Sequence, residues 1–431
     1  MMKLDKQYSQ LSIDITKQLS KDEKKEYGIF ITPHIIVKKL VDSIVKYSYQ
    51  HGINIQTILE PSCGTCEIIN YCDNLFNEIH IEAIELNNTI FENIKNLKFK
   101  NSVQFIHEDF INFNTKNKYD LIIGNPPYFV LEKGYKIPEQ METYISGRPN
   151  IFGLFILHSI SMLSENGILA FIIPKSFLNS SYYSKIRNYI KEKCEIIDII
   201  DFEKDNKFID TQQSTFGIII KNVIKNVPVK NNIKECKFER CKFERCKIEE
   251  CKYSIKFNDN FMFTNDSVFL KSLLEGTTTL SKLGLRVRTG NIVWNQHKDE
   301  LTDDENETVL IYNTNLTKEH TIALKTFKND EKRQYIKKDG RIDPILVVNR
   351  GNGNSAYKLN YALITIGPYL IENHLNEIYP VKKEKRQDLI ALFNKITQSF
   401  ENPKTQLFID LFLGNNGLSK TELETIFPIY L

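Results

Sequence analysis

With 431 residues, 41% of them apolar and 26% charged, the chain has an ordinary globular composition and length for two or three buried cores. No apolar run is long enough to span a bilayer, and the polar Met1–Gln10 segment lacks the apolar stretch of a secretory signal. A net charge of +3 does not announce nucleic acid by itself, so a nucleic-acid surface has to come from local clustering. A cytoplasmic protein is expected, with its eight cysteines reduced, no membrane partner and no metal.

In chain order, Pro33–Lys46 predicts a helix: a proline suits the first turn, and Ile36, Val37, Leu40, Val41 and Ile44 share one face. Seven β-branched runs then predict strands at Gln56–Glu60, Ile79–Glu85, Ser102–His107, Tyr119–Gly124, Gly167–Pro174, Glu195–Asp201 and Thr215–Lys221. Further helices are expected at Asn150–Leu163 and Ser180–Glu192. Such alternation is the pattern of a parallel sheet flanked by helices, a Rossmann-like α/β fold. Between Lys234 and Tyr253 the unit Cys-Lys-Phe-Glu-Arg recurs with variations, placing Cys236, Cys241, Cys246 and Cys251 five residues apart. Four units are too few for a solenoid, and the spacing is not that of paired zinc knuckles, so a linker or hairpin is expected. The expected organisation is a catalytic domain over 1–225, the cysteine repeat over 226–256, and a mixed α+β domain over 257–431.

Chemistry concentrates at the strand ends. Leu59-Glu60-Pro61-Ser62-Cys63-Gly64-Thr65-Cys66-Glu67 is a strand running through small residues into a helix, where Gly64 lets backbone approach a ligand. Glu85, before Leu86, ends the next strand and can accept hydrogen bonds from both hydroxyls of a ribose. Asp109 and Phe110 follow the third strand and offer a carboxylate and an aromatic face to an adenine. Three consecutive ends thus complement one adenosine-containing ligand.

The fourth strand runs into Asn125-Pro126-Pro127-Tyr128. Two prolines remove two amide donors, leaving carbonyls and the Asn125 side chain as acceptors. An exocyclic purine amine is a poor nucleophile because its lone pair is delocalised. Acceptance of its two N–H groups by the Asn125 oxygen and the Pro126 carbonyl localises that pair toward an electrophilic methyl, an electrostatic and positional activation. Tyr128 supplies a ring for a base taken out of its duplex.

These residues, in this order, resemble the gamma-class N6-adenine DNA methyltransferases of restriction-modification systems. Similar too are Gly28-Ile29-Phe30-Ile31-Thr32-Pro33, Arg148-Pro149-Asn150-Ile151-Phe152, the Ile-Pro-Lys-Ser-Phe ending at Phe177, Arg187, and Phe208. The resemblance implies S-adenosylmethionine as cofactor, with Phe30, Thr32 and Pro33 at its methionine part. Glu60, Pro61, Ser62 and Gly64 would meet its amino end, Glu85 and Leu86 its ribose, and Asp109 and Phe110 its adenine. It also implies a flipped adenine between Tyr128 and Phe208. Cys66 departs from the family, which usually has glycine there.

Leu285 to Lys298, Pro344 to Asn354 and Glu372 to Leu375 resemble the target-recognition domains attached to these enzymes. Double-stranded DNA is therefore the implied partner, with Arg286, Arg288, Asn295, Lys298, Lys332, Arg333, Lys337, Lys338, Arg350, Asn352 and Asn354 as candidate contacts. Arginine, asparagine and glutamine on loops can read base edges, and lysines can hold phosphates. From Lys325 to Arg350 eight basic residues face four acidic ones. A separate restriction endonuclease is a further implied partner. The tetrapeptide alone also fits methyltransferases acting on glutamine amides or on guanine in ribosomal RNA, and a catalytically weak module binding cofactor and DNA is a further alternative.

Overall fold

The computed structural model describes residues 8–147, 149–202, 214–223, 248–258, 260–329, 331–351, 357–413 and 417–431. They fall into two units. The first takes in the described residues up to 223 with Cys251–Ser254 and Phe261–Ser267, and the second is built mainly from Val268–Leu431.

The first unit opens with α1 (Gln10–Gln18) and α2 (Lys21–Glu26), capped by the Ser9 and Ser20 side chains. Helix α3 (His34–His51) buries Ile36, Val37, Leu40, Val41 and Ile44 and stops at Gly52 in the left-handed conformation. Then follow β1 (Thr57–Glu60), α4 (Glu67–Leu75), β2 (His80–Glu85), α5 (Asn88–Ile94), β3 (Ser102–His107) and β4 (Tyr119–Gly124). The rest of the unit comprises α6 (Glu139–Glu142), α7 (Ile151–Met162), β5 (Leu163–Pro174), α8 (Ser176–Asn179), α9 (Ser184–Lys193), β6 (Cys194–Asp201) and β7 (Thr215–Asn222).

The seven strands form one sheet in the order β3-β2-β1-β4-β5-β7-β6. Alternation along each strand divides the core between its faces. Leu59, Ile122, Leu169 and Phe171 pack on one side with α7, and Ile58, Leu121, Ile123 and Ala170 on the other with α3 and α4. Helix α7 is apolar all round because nearly every residue is buried. The chain leaves β1 toward β2 on one side and returns with β4 on the other, so a topological switch point lies between β1 and β4.

One expectation needs correction. The sheet is not wholly parallel: β7 is antiparallel to both β5 and β6. Arg187, fully buried, donates to the carbonyls of Phe177, Ser180 and Phe261 at 2.9, 2.7 and 2.6 Å. It holds the turn after α8 together.

Strands β8 (Ile248–Cys251), β9 (Ser254–Phe257) and β10 (Asn260–Phe263) come next, followed by α10 (Ser267–Leu274). Cys236, Cys241 and Cys246 lie outside the described residues, while Cys251 ends β8. The second unit contains β11 (Leu285–Thr289), β12 (Leu301–Thr302), β13 (Thr308–Ile311), β14 (Tyr335–Ile336), β15 (Ile345–Asn349), β16 (Tyr361–Ile364), β17 (Tyr369–Ile371) and β18 (Leu375–Pro380). Helices α11 (Arg386–Phe400), α12 (Pro403–Phe408) and α13 (Lys420–Thr425) complete it. Its strands make two sheets, β11-β18-β15-β16 and β12-β14-β13-β17, giving the mixed α+β character expected of it. Among the described residues no helix is long and apolar enough to cross a membrane.

Candidate active site

A cleft of about 970 Å³, open solvent at its mouth included, lies at the carboxyl ends of β1 to β4, where ligands of open α/β sheets bind. Its wall includes Phe30 and Thr32, Glu60, Pro61, Ser62 and Gly64, Glu85 and Leu86, Asp109 and Phe110, and Asn125. The structure therefore brings the predicted cofactor residues to one place, apart from Pro33, which serves as the residue before α3.

The turn after β1 is shaped by two left-handed residues, Gly64 at φ 50° and Cys66 at φ 66°. Gly64 donates its N–H to Glu85 Oε2 at 2.9 Å, and Asn87 N–H reaches Glu85 Oε1 at 2.7 Å. Burial raises the Glu85 carboxyl above its ordinary range, against the pull of the Asn87, Gly64 and Leu86 amides. Three amides leave at least one of the four lone pairs of the carboxylate for a ribose hydroxyl. Glu60 is 2% exposed, and its Oε2 has no hydrogen-bond partner. Burial pushes it well above the usual carboxylate range. A buried carboxylate oxygen with nothing to accept from fits a cationic ammonium group.

Cys66 does not line the cleft; it is wholly buried as the residue capping α4. Its left-handed backbone accounts for glycine being usual there, and its thiol is not interposed between turn and ligand. Phe110 is also a correction in detail. Its ring is 2% exposed and packed 4.8 Å from Phe155 and 4.9 Å from His158, centroid to centroid, so it has no open face for a base. The exposed apolar side chain in this part of the wall is Leu86, 47% accessible.

Asn125 donates through Nδ2 to the Phe30 carbonyl and to Thr32 Oγ1, both at 3.1 Å. Its Oδ1 contacts the hydroxyl of Tyr128, which also meets the Ile172 carbonyl at 2.7 Å. Pro127 lines the cleft and Pro126 is buried. The Tyr128 ring lies 6.4 Å from Phe30, stacked, and 6.2 Å from Phe152, edge on. Phe208 and Arg148 lie outside the described residues.

Sequence reading missed the part played by α1. Ile15 and Leu19 line the cleft. Glu67 accepts from Ser9 N at 3.0 Å, Ser9 Oγ at 2.8 Å and Ser12 Oγ, and pairs with His34. Ser12 Oγ is also 2.6 Å from Thr65 Oγ1. One buried carboxylate so ties the N-terminal helix to the turn after β1. The pattern Ser20-x-x-Glu23, a capping box in the structure, was the available signal of helices here.

In the second unit the candidate contacts do not form one free basic face. Arg286 pairs with Glu424 at 2.6 Å, Lys298 with Glu331 at 2.6 Å, Arg333 with Asp303 at 2.7 Å and Lys338 with Glu300 at 3.0 Å. Arg288 binds the buried Glu377 at 2.8 Å and covers the Tyr379 ring. Arg350 donates to the Asn373 carbonyl at 2.8 Å. Lys332 stands over three rings, 4.0 Å from Tyr312, 4.7 Å from Phe327 and 5.5 Å from Trp294, and burial lowers its pKa. Asn295 and Lys337 are exposed, and Asn352 and Asn354 lie outside the described residues. Lys382, Lys383 and Lys385, not singled out by the sequence, are exposed and enter no recorded ion pair among the described residues.

The seven-stranded sheet with its cleft at the switch point is the fold of S-adenosylmethionine-dependent methyltransferases. Residues 6–208 match the Eco57I restriction-modification methylase family. The chain is 38% identical over 219 residues to modification methylase CviBIII of Paramecium bursaria Chlorella virus NC1A, covering 50% of this chain and 55% of that protein. It thus spans little more than half of that relative's length. With type II methyltransferase M.CvrRI of Paramecium bursaria Chlorella virus XZ-6E it shares 26% identity over 430 residues, 99% of this chain and 100% of the relative. Among solved structures, the type IIG restriction endonuclease BpuSI aligns at 11% identity over 95% of this chain and 60% of its own, with a TM-score of 0.41.

Proposed function

We propose that the chain is a site-specific DNA methyltransferase that uses S-adenosylmethionine to modify the N6 amine of adenine in double-stranded DNA. The observation that carries this reading is Asn125 at the cleft, its amide nitrogen tied to Phe30 and Thr32 so that its oxygen is left as the acceptor, met in this structure by the Tyr128 hydroxyl. Glu60 would hold the methionine ammonium, Glu85 the ribose hydroxyls, and Asp109 an adenine amine, with Leu86 as the apolar face beside it. When bound, S-adenosylmethionine supplies an electrophilic methyl group.

The chain's own residues do the rest. Asn125 Oδ1 and the Pro126 carbonyl accept the two N–H groups of the target amine, and its lone pair is localised out of the ring plane. For that, the Tyr128 hydroxyl gives up Asn125 and keeps the Ile172 carbonyl, while its ring holds the base taken from the helix. Type II methyltransferase relatives support DNA as the substrate, and the second unit, in place after the catalytic one, fits target recognition. A separate restriction endonuclease is the partner such a system implies, inside a prokaryotic cell or a virus-infected host. Cys66, buried away from the cleft wall, lends no support to a binding-only module.

Single-molecule sequencing of DNA from cells expressing the gene tests the proposal. N6-methyladenine within one recurrent sequence is expected. Its absence, or modification of cytosine instead, overturns the reading.

A further inference from the structure

A carboxamide is planar and carries its oxygen and nitrogen on opposite sides, so whatever binds one end decides where the other points. Both hydrogens of Asn125 Nδ2 are taken up, by the Phe30 carbonyl and by Thr32 Oγ1, each at 3.1 Å. Thr32 is 6% exposed, so water does not readily replace its hydroxyl. The same segment presses on the tetrapeptide at two further points. A Cβ at Gly28, which has φ +62°, would stand 3.0 Å from Pro127 Cβ and 3.1 Å from Tyr128 N. The Phe30 ring is stacked against Tyr128.

We infer that Thr32 is a positioning residue for methyl transfer: with the Phe30 carbonyl it fixes which end of the Asn125 amide meets the substrate amine. Were the amide reversed, its NH2 would oppose the N–H groups of adenine, donor against donor, and the lone pair would not be localised. The segment 28–32 therefore serves the substrate side of the cleft as well as the cofactor side, and cofactor docking and acceptor orientation share one element. This rests on the reading that the Asn125 oxygen meets an adenine amine.

Single-turnover methylation by Thr32→Val and Thr32→Ser, alongside calorimetric titration of S-adenosylmethionine, tests it. Valine keeps the shape of the wall and removes the acceptor. At saturating cofactor its transfer rate is expected to fall about tenfold to a hundredfold, the scale of a small misplacement of a reacting group, well beyond any change in cofactor Kd. Thr32→Ser keeps the hydroxyl and should stay within about threefold of the wild-type rate. A wild-type rate in Thr32→Val, a loss matched by weakened cofactor binding, or Thr32→Ser as slow as valine each overturn the inference while leaving the function standing. Absence of adenine methylation by the wild-type chain overturns both.

Discussion

The cleft of the first unit and the basic stretch of the second were both visible as dense local motifs, yet they fare differently in three dimensions. Glu60, Gly64, Glu85, Asp109 and Asn125 are separated by up to 65 positions in the chain and still line one cleft. The sheet imposes this: residues just past the carboxyl ends of neighbouring strands have nowhere else to be. Lys298, Arg333 and Lys338 instead spend their charge on Glu331, Asp303 and Glu300, and Lys332 stands among aromatic rings. A long charged side chain chooses among several partners, and sequence does not record the choice. Backbone-directed sites are thus more legible than charge-directed ones.

The largest effect that could break the comparison is at Asn125. Replacement by alanine should lower the single-turnover rate by about a thousandfold or more, as loss of a central electrostatic group does, with cofactor affinity nearly unchanged; retained turnover would remove the tetrapeptide from the chemistry. Glu60→Gln comes next. Loss of a charged partner for an ammonium should weaken cofactor binding about tenfold to a hundredfold in calorimetry.

Glu60 also predicts a pH effect with a definite sign. Because burial raises its pKa in the folded protein, the folded state holds the proton more tightly than the unfolded one. Its contribution to stability is best below the ordinary carboxyl range and declines as pH rises toward the raised value. Binding of a cation should release that proton, so affinity should climb with pH over the same interval. Thermal melts and titrations in buffers of different ionisation enthalpy should show both trends, flattened in Glu60→Gln; an unflattened profile would assign the titration elsewhere.

Charge removal sharpens the other half. Replacing Lys382, Lys383 and Lys385 together by alanine should reduce the salt slope of DNA binding by about two to three, near one for each phosphate no longer neutralised. Replacing Lys298, Arg333 and Lys338 should change it by less than about one. The reverse ranking would return the phosphate surface to the 325–350 stretch. The smallest effect belongs to Cys66→Gly: relief of about 1 kcal/mol of left-handed strain is offset by the missing thiol packing. Melting should shift little and cofactor Kd should stay put, whereas a large gain in affinity would show that the thiol does obstruct the cleft.

Much of the first unit was legible. All seven strands fall where β-branched runs predict them, within four residues at each end. The direction of β7 was not legible, since periodicity reports burial and carries no information on polarity. Helices α1 and α2 escaped because they are short, nine and six residues, although Ser9 and Ser20 cap them. At the site, the identity of Asn125 could be read but not what holds it. Its partners Phe30 and Thr32 lie 95 and 93 positions away, and only the fold joins them. For Phe110, type suggested a stacking face, and tertiary packing against Phe155 and His158 used that face up.

The most direct measurement is transfer of labelled methyl from S-adenosylmethionine to duplex DNA by the purified chain, followed by mass analysis of the released nucleosides. N6-methyldeoxyadenosine carrying the label, and its loss in Asn125→Ala, is the expected result. Label in a methylated cytosine, or equal labelling by the Asn125→Ala variant, would contradict it.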